Sequence, residues 1–245
     1  LIVTNAHRIV SGEMPVLNDR RSDFFFMETA SEEETLRLVI DLCKTRLPKS
    51  YGYSPMEDIQ VLCPSRLGAA GTQNINKELQ LALNPPSRNH PEVKFGNTLF
   101  RTGDKIMQTK NDYDVEWRKG AELSHGIFNG DIGIIRRADK VNNRLDIDFD
   151  GRAATYDIEM MNRIEHAYAV TIHKSQGSEY PAVIIPLPNG MDRLSYRNLL
   201  YTAVTRAKKT LILIGSVNKV RNMVANVSRN QRYSCLQPML EDMFV

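Results

Sequence analysis

The sequence predicts an α/β fold, in which a parallel sheet flanked by helices is interrupted by a small antiparallel β-barrel. Apolar strands alternate with amphipathic helices before residue 94 and again after residue 157. Between these stretches, short strands follow one another with turn dipeptides and without a helical pattern. We therefore expect an α/β domain in two parts, residues 1–93 and 158–245, with the inserted barrel at residues 94–157.

The composition of the 245-residue chain is that of a globular protein, with 42% hydrophobic and 25% charged residues. Its apolar runs are too short to cross a bilayer, so we expect no membrane partner. The formal net charge of +3 permits a nucleic-acid partner without requiring one. The three cysteines, Cys43, Cys63 and Cys235, lack CxxC spacing, which argues against zinc and disulfides and favours a reducing, cytoplasmic setting.

Before residue 94 the predicted elements alternate between strand and helix. Ser31 and Glu34 have the spacing of a capping box, and the apolar residues that follow repeat at helical spacing. Pro48 is expected to end this helix. The predicted elements are a strand at 23–28, a helix at 31–47, a strand at 59–63, a polar loop at 65–71 and a helix at 72–83.

The middle of the chain is predicted to contain strands only, and helices return after it. The predicted strands of the barrel are 105–109, 130–136, 144–149 and 153–157, with an unpatterned polar loop at 111–125. The elements predicted after the barrel are a helix at 166–176, a strand at 182–187, a helix at 195–208, a strand at 210–215 and a helix at 217–227.

Several catalytic motifs are missing from the sequence. It contains no GxxxxGK[ST] phosphate loop, and no strand ends in a paired acidic motif that could hold magnesium. It also contains neither GxSxG nor HExxH. We therefore expect no complete active site in this chain, which begins at Leu1 and is expected to be a piece of a longer protein or a processed product.

The segment from Thr171 to Glu179 concentrates hydrogen-bonding side chains at the end of a predicted helix. Hydroxyls, an imidazole and an amine suit contacts with phosphate and sugar, and Glu179 can accept hydrogen bonds from a ribose. A solvated helix end explains the same residues, because Lys174 would interact favourably with the helix dipole there. The chemistry alone leaves both interpretations open.

A second segment, residues 200–209, places Arg206 on an otherwise apolar helix face. A buried arginine needs an anionic partner, and the planar guanidinium suits a phosphoryl group in transfer. The alternative is a surface arginine at a helix end, again favoured by the helix dipole.

Together, the two segments resemble motifs V and VI of superfamily 1 helicases. The wording is most similar to the RecD-like branch, which comprises the alpha subunit of exodeoxyribonuclease V and its stand-alone relatives. Other blocks resemble the same family in the same order, and they are residues 5–9 with Gly12 and Pro15, residues 61–71 with Asn76 and residues 79–80, residues 103–113, and residues 127–131.

The resemblance implies the C-terminal half of an ATP-dependent 5′-to-3′ DNA helicase: a second RecA-like domain (P-loop NTPase type) with a Src-homology-3-like insertion. The first RecA-like domain, with the Walker motifs and the magnesium ligands, would lie upstream and bind ATP jointly with this one. Arg206 matches the motif VI arginine that reaches the γ-phosphate. Gly177 and Glu179 match motif V positions near the nucleotide. The chain by itself is expected to be inactive.

The resemblance also implies contacts with single-stranded DNA. Thr171, His173 and Lys174 match the DNA-facing part of motif V. The loop at residues 65–71, which contains Ser65 and Arg66, is expected to contact the DNA strand. The barrel residues expected there are Lys110, Asn111 and Tyr113. Tyr113 offers a face for base stacking, although it could equally close a hairpin.

The sequence departs from the compact family pattern at residues 116–125, which lengthen a barrel loop and leave its DNA contacts open. Three other functions stay open as well. The chain could be the helicase module of a conjugative relaxase, or a non-enzymatic nucleic-acid-binding module or docking domain of a larger complex. Expected protein partners are the N-terminal RecA-like domain and other nuclease or helicase subunits. The gene upstream of Leu1 would separate these alternatives.

Overall fold

The computed structural model describes residues 1–19, 22–189 and 194–227. The helices in these ranges are α1 Ile2–Ser11, α2 Glu32–Asp41, α3 Leu47–Tyr51, α4 Thr72–Leu83, α5 Arg197–Val204 and α6 Val217–Ala225. The strands are β1 Phe24–Glu28, β2 Ile59–Cys63, β3 Glu92–Phe95, β4 Thr98–Arg101, β5 Lys105–Gln108, β6 Asp112–Lys119, β7 Glu122–Ile127, β8 Ile132–Asp139, β9 Arg144–Phe149, β10 Arg152–Tyr156, β11 Ile164–His166, β12 Ala169–Thr171, β13 Tyr180–Leu187 and β14 Ala207–Gly215. No helix in the described ranges has the length and apolar character needed to cross a membrane.

A five-stranded parallel sheet, in the order β1-β14-β13-β2-β12, forms the centre of the α/β part. Its central strands are buried on both faces, and alternate residues of β13 enter different apolar cores. Val183 and Ile185 pack with α1, α5 and α6, whereas Ala182 and Ile184 pack with α2, α3 and α4. The strand and helix alternation of the sequence therefore becomes a three-layer α/β arrangement.

The predicted start of α2 is confirmed, and its predicted end is wrong. The Ser31 hydroxyl accepts a hydrogen bond from the Glu34 N–H at 3.1 Å, and the Glu34 carboxylate accepts one from the Ala30 N–H at 2.8 Å. At Pro48 the helical path continues, because a π-helical turn at Leu42–Arg46 precedes α3 and widens the hydrogen-bonding pattern. The chain leaves the helix at Gly52, whose φ is +70°.

The β-insertion contains a seven-stranded antiparallel sheet, ordered β11-β5-β8-β9-β10-β6-β7, and the hairpin β3–β4. It has its own apolar core, with Phe100, Phe149 and Tyr156 among its largest buried side chains. The four strands predicted from the sequence are confirmed as β5, β8, β9 and β10.

The segment 111–125, predicted to be a loop, is instead most of the hairpin β6–β7. Val115 and Trp117 alternate with charged residues, and the Trp117 indole N–H donates to the Gly126 carbonyl at 3.1 Å. The turn between the strands contains Gly120 with a φ of +60°. The strand pattern is weak in the sequence because most residues of β6 face solvent and are charged. Few apolar residues are left to show the alternation.

The helix predicted at 166–176 is also wrong. Its residues form the end of β11, the strand β12 and a 3-10 turn at Ile172–Ser175. β12 lies at the edge of the parallel sheet, where the Asn76 side chain accepts from the Ala169 N–H at 2.8 Å and donates to the Ala169 carbonyl at 2.9 Å. The backbone N–H and carbonyl of Ala169 are thus hydrogen-bonded by a side chain of α4, which is far away in sequence. In the predicted helix, these groups would have bonded to neighbouring turns.

A buried carboxylate, Asp104, joins the β-insertion to the α/β part. Its oxygens accept hydrogen bonds from the side chains of Gln80 (2.6 Å) and Asn84 (2.7 Å), the N–H of Arg101 (2.7 Å) and the hydroxyl of Tyr168 (2.8 Å), with His166 Nε2 at 3.1 Å. Burial raises the pKa of this carboxyl, but the hydrogen bond and charge of His166 and the other donors outweigh burial, so the pKa lies below its ordinary value of 3.8.

Removing this negative charge should destabilise the fold. We expect Asp104→Asn to lower the free energy of unfolding by about 2–4 kcal/mol, because several buried donors lose a charged acceptor. Since the folded pKa is depressed, this stability is present above pH 4 or so and is lost as pH falls through the folded value. Chemical denaturation between pH 3 and 7 measures both effects. Asp114→Asn, on the exposed face of β6, is the control, and equal losses in the two variants would contradict the assignment.

The next residue, Lys105, is fully buried, and its ammonium donates to the Ile59 carbonyl at 3.1 Å. Burial lowers the pKa of this amine to about 8. Folding therefore disfavours the charged form, and this cost is complete below pH 8 and disappears as pH rises toward 10.5.

An apolar side chain of similar length should remove the cost. We expect Lys105→Met to raise the free energy of unfolding at pH 7 by about 1–3 kcal/mol, after the loss of one hydrogen bond. The wild-type protein should gain stability between pH 8 and 10, and the variant should lack this gain. Urea unfolding at several pH values measures it, and a variant less stable than wild type at pH 7 would refute the prediction.

Candidate functional site

Arg206 and the loop with Gly177 and Glu179 meet at the amino-terminal ends of two adjacent parallel strands. Glu179 directly precedes β13, and Arg206 directly precedes β14. The Arg206 guanidinium donates to the Ser178 carbonyl at 3.1 Å, and the Tyr180 N–H donates to the Arg206 carbonyl at 2.9 Å. The three residues expected near the nucleotide are thus brought together.

The guanidinium of Arg206 is half-buried, and its hydrogen-bond acceptors among the described residues are all uncharged oxygens. Besides Ser178, its acceptors are the Thr202 carbonyl at 3.2 Å and the Thr205 hydroxyl at 3.1 Å. Over the described part of the chain, no carboxylate lies within ion-pairing distance of it. These contacts fix the direction of the guanidinium and leave its charge to attract an anion.

The loop before β13 is open to solvent at Gly177. Gly177 has a φ of +87°, which favours glycine, and a Cβ atom built there would meet no atom within 4 Å. The Glu179 carboxylate is exposed and lies 3.4 Å from the Lys208 ammonium, which is also exposed. Because such surface pairs are weak, Glu179 can exchange this partner for a ligand hydroxyl.

Thr171, His173 and Lys174 lie at the opposite end of the strands from Arg206, where β2 and β12 reach their carboxyl ends. Thr171 pairs with Cys63, and the loop containing Ser65 and Arg66 follows directly. The Thr171 hydroxyl accepts from the Lys174 N–H at 3.4 Å, and exposed His173 has its Nε2 3.2 Å from the Tyr196 hydroxyl. The Ser65 hydroxyl donates to the Leu67 carbonyl at 2.7 Å.

A carboxylate that the sequence did not single out, Glu165 on β11, connects these two segments. The Lys174 ammonium lies 2.5 Å from one of its oxygens, and the Arg66 guanidinium lies 3.5 Å from the other. The structure thus brings the loop of Arg66 and the turn of Lys174 to one carboxylate. Nothing local in the sequence marks Glu165, because Arg66 lies about 100 residues before it and Lys174 is brought to it only by the turn that follows β12.

Lys110, Asn111 and Tyr113 lie together at one end of the β-insertion. Lys110 and Asn111 are exposed, and the Asn111 side-chain oxygen accepts from the Asn129 N–H at 3.0 Å. Tyr113 is 69% exposed and contacts Phe128 edge-on, with ring centroids 5.6 Å apart. Sequence reasoning missed Phe128, which is 40% exposed, although an aromatic residue directly before an Asn-Gly turn is visible in the sequence.

Arg163 lies between Glu165 and the end of the β-insertion that carries Lys110, Asn111 and Tyr113. Its carbonyl accepts hydrogen bonds from the N–H and hydroxyl of Thr109, the residue before Lys110, and its guanidinium forms an ion pair with Asp112. Glu165 follows two residues later. A row of charged and aromatic groups therefore extends from Arg66 past Glu165 and Arg163 to the Tyr113–Phe128 pair.

The comparison with protein families gives two matches. Residues 75–149 match the SH3 domain of ATP-dependent RecD-like DNA helicases, and residues 166–214 match the UvrD-like helicase C-terminal domain. The first range spans α4 and the β-insertion through β9, and the second contains Arg206 and the segment from Thr171 to Glu179.

Curated relatives agree with the family matches. The chain is 31% identical over 217 residues to the ATP-dependent RecD2 DNA helicase of Deinococcus radiodurans, covering 89% of this chain and 27% of that protein. It is 33% identical over 166 residues to the RecBCD enzyme subunit RecD of Mycolicibacterium smegmatis, covering 68% of this chain and 26% of that subunit. The chain thus spans about a quarter of the length of these two relatives.

A solved structure shares the fold. The Pif1 helicase from Bacteroides, in complex with ADP-AlF3 and ssDNA, superposes with a TM-score of 0.52 at 16% identity, covering 99% of this chain and 53% of that one. The expected fold class, a RecA-like parallel sheet with an SH3-like insertion, is confirmed. The chain belongs to the RecD-like helicase family, in the C-terminal region that holds the SH3 domain and the UvrD-like helicase C-terminal domain.

Proposed function

We propose that this chain is the C-terminal motor half of an ATP-dependent 5′-to-3′ DNA helicase of the RecD type, and that it is inactive alone. The observation that carries the proposal is Arg206, a half-buried guanidinium held by uncharged oxygens beside an open loop. Such a group is suited to a phosphate supplied from outside the chain. The domain division we propose is 1–93 and 158–245 for the RecA-like domain and 94–157 for the insertion, with β11 completing the insertion's sheet.

The proposed cofactor is ATP with magnesium, bound between this domain and an upstream RecA-like domain that holds the phosphate loop and the magnesium ligands. Bound there, the nucleotide supplies the phosphoryl group whose transfer to water drives movement. The open space at Gly177 and the uncompensated charge of Arg206 fit a polyphosphate. In this proposal Arg206 stabilises negative charge on the transferring phosphoryl oxygens, and Glu179 accepts a hydrogen bond from the ribose.

The proposed DNA path crosses the carboxyl ends of β2 and β12 and continues onto the β-insertion. Thr171, His173 and Lys174 would contact the sugar-phosphate backbone together with Ser65 and Arg66. Further along, Lys110 and Asn111 would contact the backbone, and Tyr113 would stack on a base, as exposed aromatics do in single-strand binders. The proximity of these residues along one row supports a continuous path.

The proposed partners are single-stranded DNA, the upstream RecA-like domain and subunits of a nuclease complex, and the proposed location is the cytoplasm. The RecD subunits among the relatives carry the name of the RecBCD enzyme, which supports a complex of this kind.

Arg206 should be needed for ATP hydrolysis in a protein that joins this chain to the upstream domain. We expect Arg206→Ala to reduce DNA-stimulated turnover about 10³- to 10⁵-fold, as for other arginines supplied across a cleft. Arg206→Lys should not restore turnover, because lysine lacks the planar fork. Stability should be retained, since Leu199 and Ala203 carry the packing of α5. Phosphate release with and without single-stranded DNA measures the effect.

The matched control is Arg221→Ala, which removes an exposed arginine of α6. The 245-residue chain alone should release no phosphate above background. Turnover of the Arg206→Ala variant within about twofold of wild type would favour an ordinary surface arginine, because exposed ion pairs contribute at most ~1 kcal/mol.

The chain alone should bind single-stranded DNA weakly and with little sequence preference. If about three phosphates are neutralised, the logarithm of affinity should fall with the logarithm of salt at a slope of roughly −2. His173→Ala and Lys174→Ala should each weaken binding about twofold to tenfold for every sequence tested. Fluorescence anisotropy measures this, with Lys140→Ala in the β8–β9 turn as control. Unchanged affinity in both variants would place the DNA elsewhere.

A further inference from the structure

Glu165 is the acidic residue at the centre of the proposed DNA path. One of its oxygens contacts the Lys174 ammonium at 2.5 Å, and the other contacts the Arg66 guanidinium at 3.5 Å. Both cations are among the residues proposed above to bind the DNA backbone. In the protein without DNA, their charges are therefore already compensated.

We propose that Glu165 is a positioning residue that occupies the place of a DNA phosphate, and that a phosphate of the bound strand displaces it. This inference rests on the proposed DNA path. A carboxylate presents two anionic oxygens in a plane, and a DNA phosphate presents two on a tetrahedral phosphorus. Both pairs of oxygens accept hydrogen bonds from lysine and arginine. An ammonium and a guanidinium that converge on one carboxylate are therefore arranged to converge on one phosphate.

The exposure of the three side chains permits this exchange. Glu165 is 33% exposed, Lys174 is 27% exposed and Arg66 is 58% exposed. Ion pairs this close to water contribute little to stability, so their loss costs little when another anion replaces the carboxylate. The released Glu165 carboxylate would be hydrated and screened by salt.

The neighbouring ion pair provides a contrast within the same row. Asp112, which holds Arg163, is 5% exposed and cannot be released into water without a large rearrangement. Arg163 therefore stays fixed to the β-insertion, whereas Arg66 and Lys174 can change partners. Of the two carboxylates, only Glu165 has the exposure that displacement requires.

The test is single-stranded DNA binding by the chain with Glu165→Gln, which removes the competing charge and keeps the size of the side chain. We expect affinity for an oligonucleotide without secondary structure to rise about twofold to tenfold at low salt, the range set by two exposed ion pairs. The slope of log affinity against log salt should become steeper by about one, because Lys174 and Arg66 then neutralise DNA phosphate without an internal carboxylate that compensates one of their charges. Anisotropy titrations between 50 and 200 mM salt, roughly the range over which such slopes are resolved, measure both.

Glu159→Gln is the matched control. Glu159 is exposed and forms no ion pair within the described ranges, and its replacement by glutamine changes the net charge by the same amount. In the double variant Glu165→Gln/Lys174→Ala the gain should shrink, since one of the released cations is gone. Glu165→Ser repeats the test if thermal unfolding shows that the glutamine variant is destabilised at the assay temperature.

An affinity and slope equal to those of Glu159→Gln, or weaker binding, would overturn the proposal and leave Glu165 as a tie between β11 and the Arg66 loop. Arg66→Ala and Lys174→Ala separate the two levels of inference. If these variants weaken binding but Glu165→Gln does not tighten it, the role of Glu165 is wrong and the DNA path stands. If they leave binding unchanged, the DNA path itself is wrong.

Discussion

The buried carboxylate of Asp104 is the constraint on which the arrangement of the two parts depends. Its hydrogen bonds come from α4, from the start of the β-insertion and from the segment that returns to the parallel sheet. Such a charge is tolerated only when nearly all of its oxygens' positions are filled, so the donors must be in place together. Together with the hydrogen bond from Lys105 to the Ile59 carbonyl, this junction ties the insertion, which carries Lys110, to the α/β part, which carries Lys174.

The segment 172–179 connects the two candidate sites physically. It leaves the carboxyl end of β12 with His173 and Lys174 and reaches the amino end of β13 with Ser178, whose carbonyl holds Arg206. A shift of Arg206 toward a phosphate would thus pull on the same short segment that carries the proposed DNA contacts. The segment is a 3-10 turn followed by irregular chain, and hydrogen bonds run from the Gln176 N–H to the His173 carbonyl at 3.3 Å and from the Ser178 N–H to the Ser175 carbonyl at 3.0 Å, so its two ends are linked by more than the covalent chain.

Sequence reasoning succeeded where the structure is determined locally. The capping box at Ser31, the apolar strands β2, β13 and β14 and the α/β pattern follow from neighbouring residues, and the resemblance identified the sheet as RecA-like. It failed at β12, which exists because Asn76 of α4 satisfies its edge, and at Glu165, whose partners lie about 100 residues before and 9 residues after it. Cys235, which enters the cysteine argument, lies outside the described residues.

The β-insertion begins and ends at nearly the same place. β5 and β11 are antiparallel neighbours, with Ile106 paired to His166, and Asn84 at the end of α4 reaches the same carboxylate as His166. A chain that leaves and re-enters a domain at adjacent points can be lengthened, shortened or exchanged between those points without altering the path of the remainder. In evolutionary terms the insertion is an exchangeable unit. Related proteins could replace it to suit a different ligand while the parallel sheet remains unchanged.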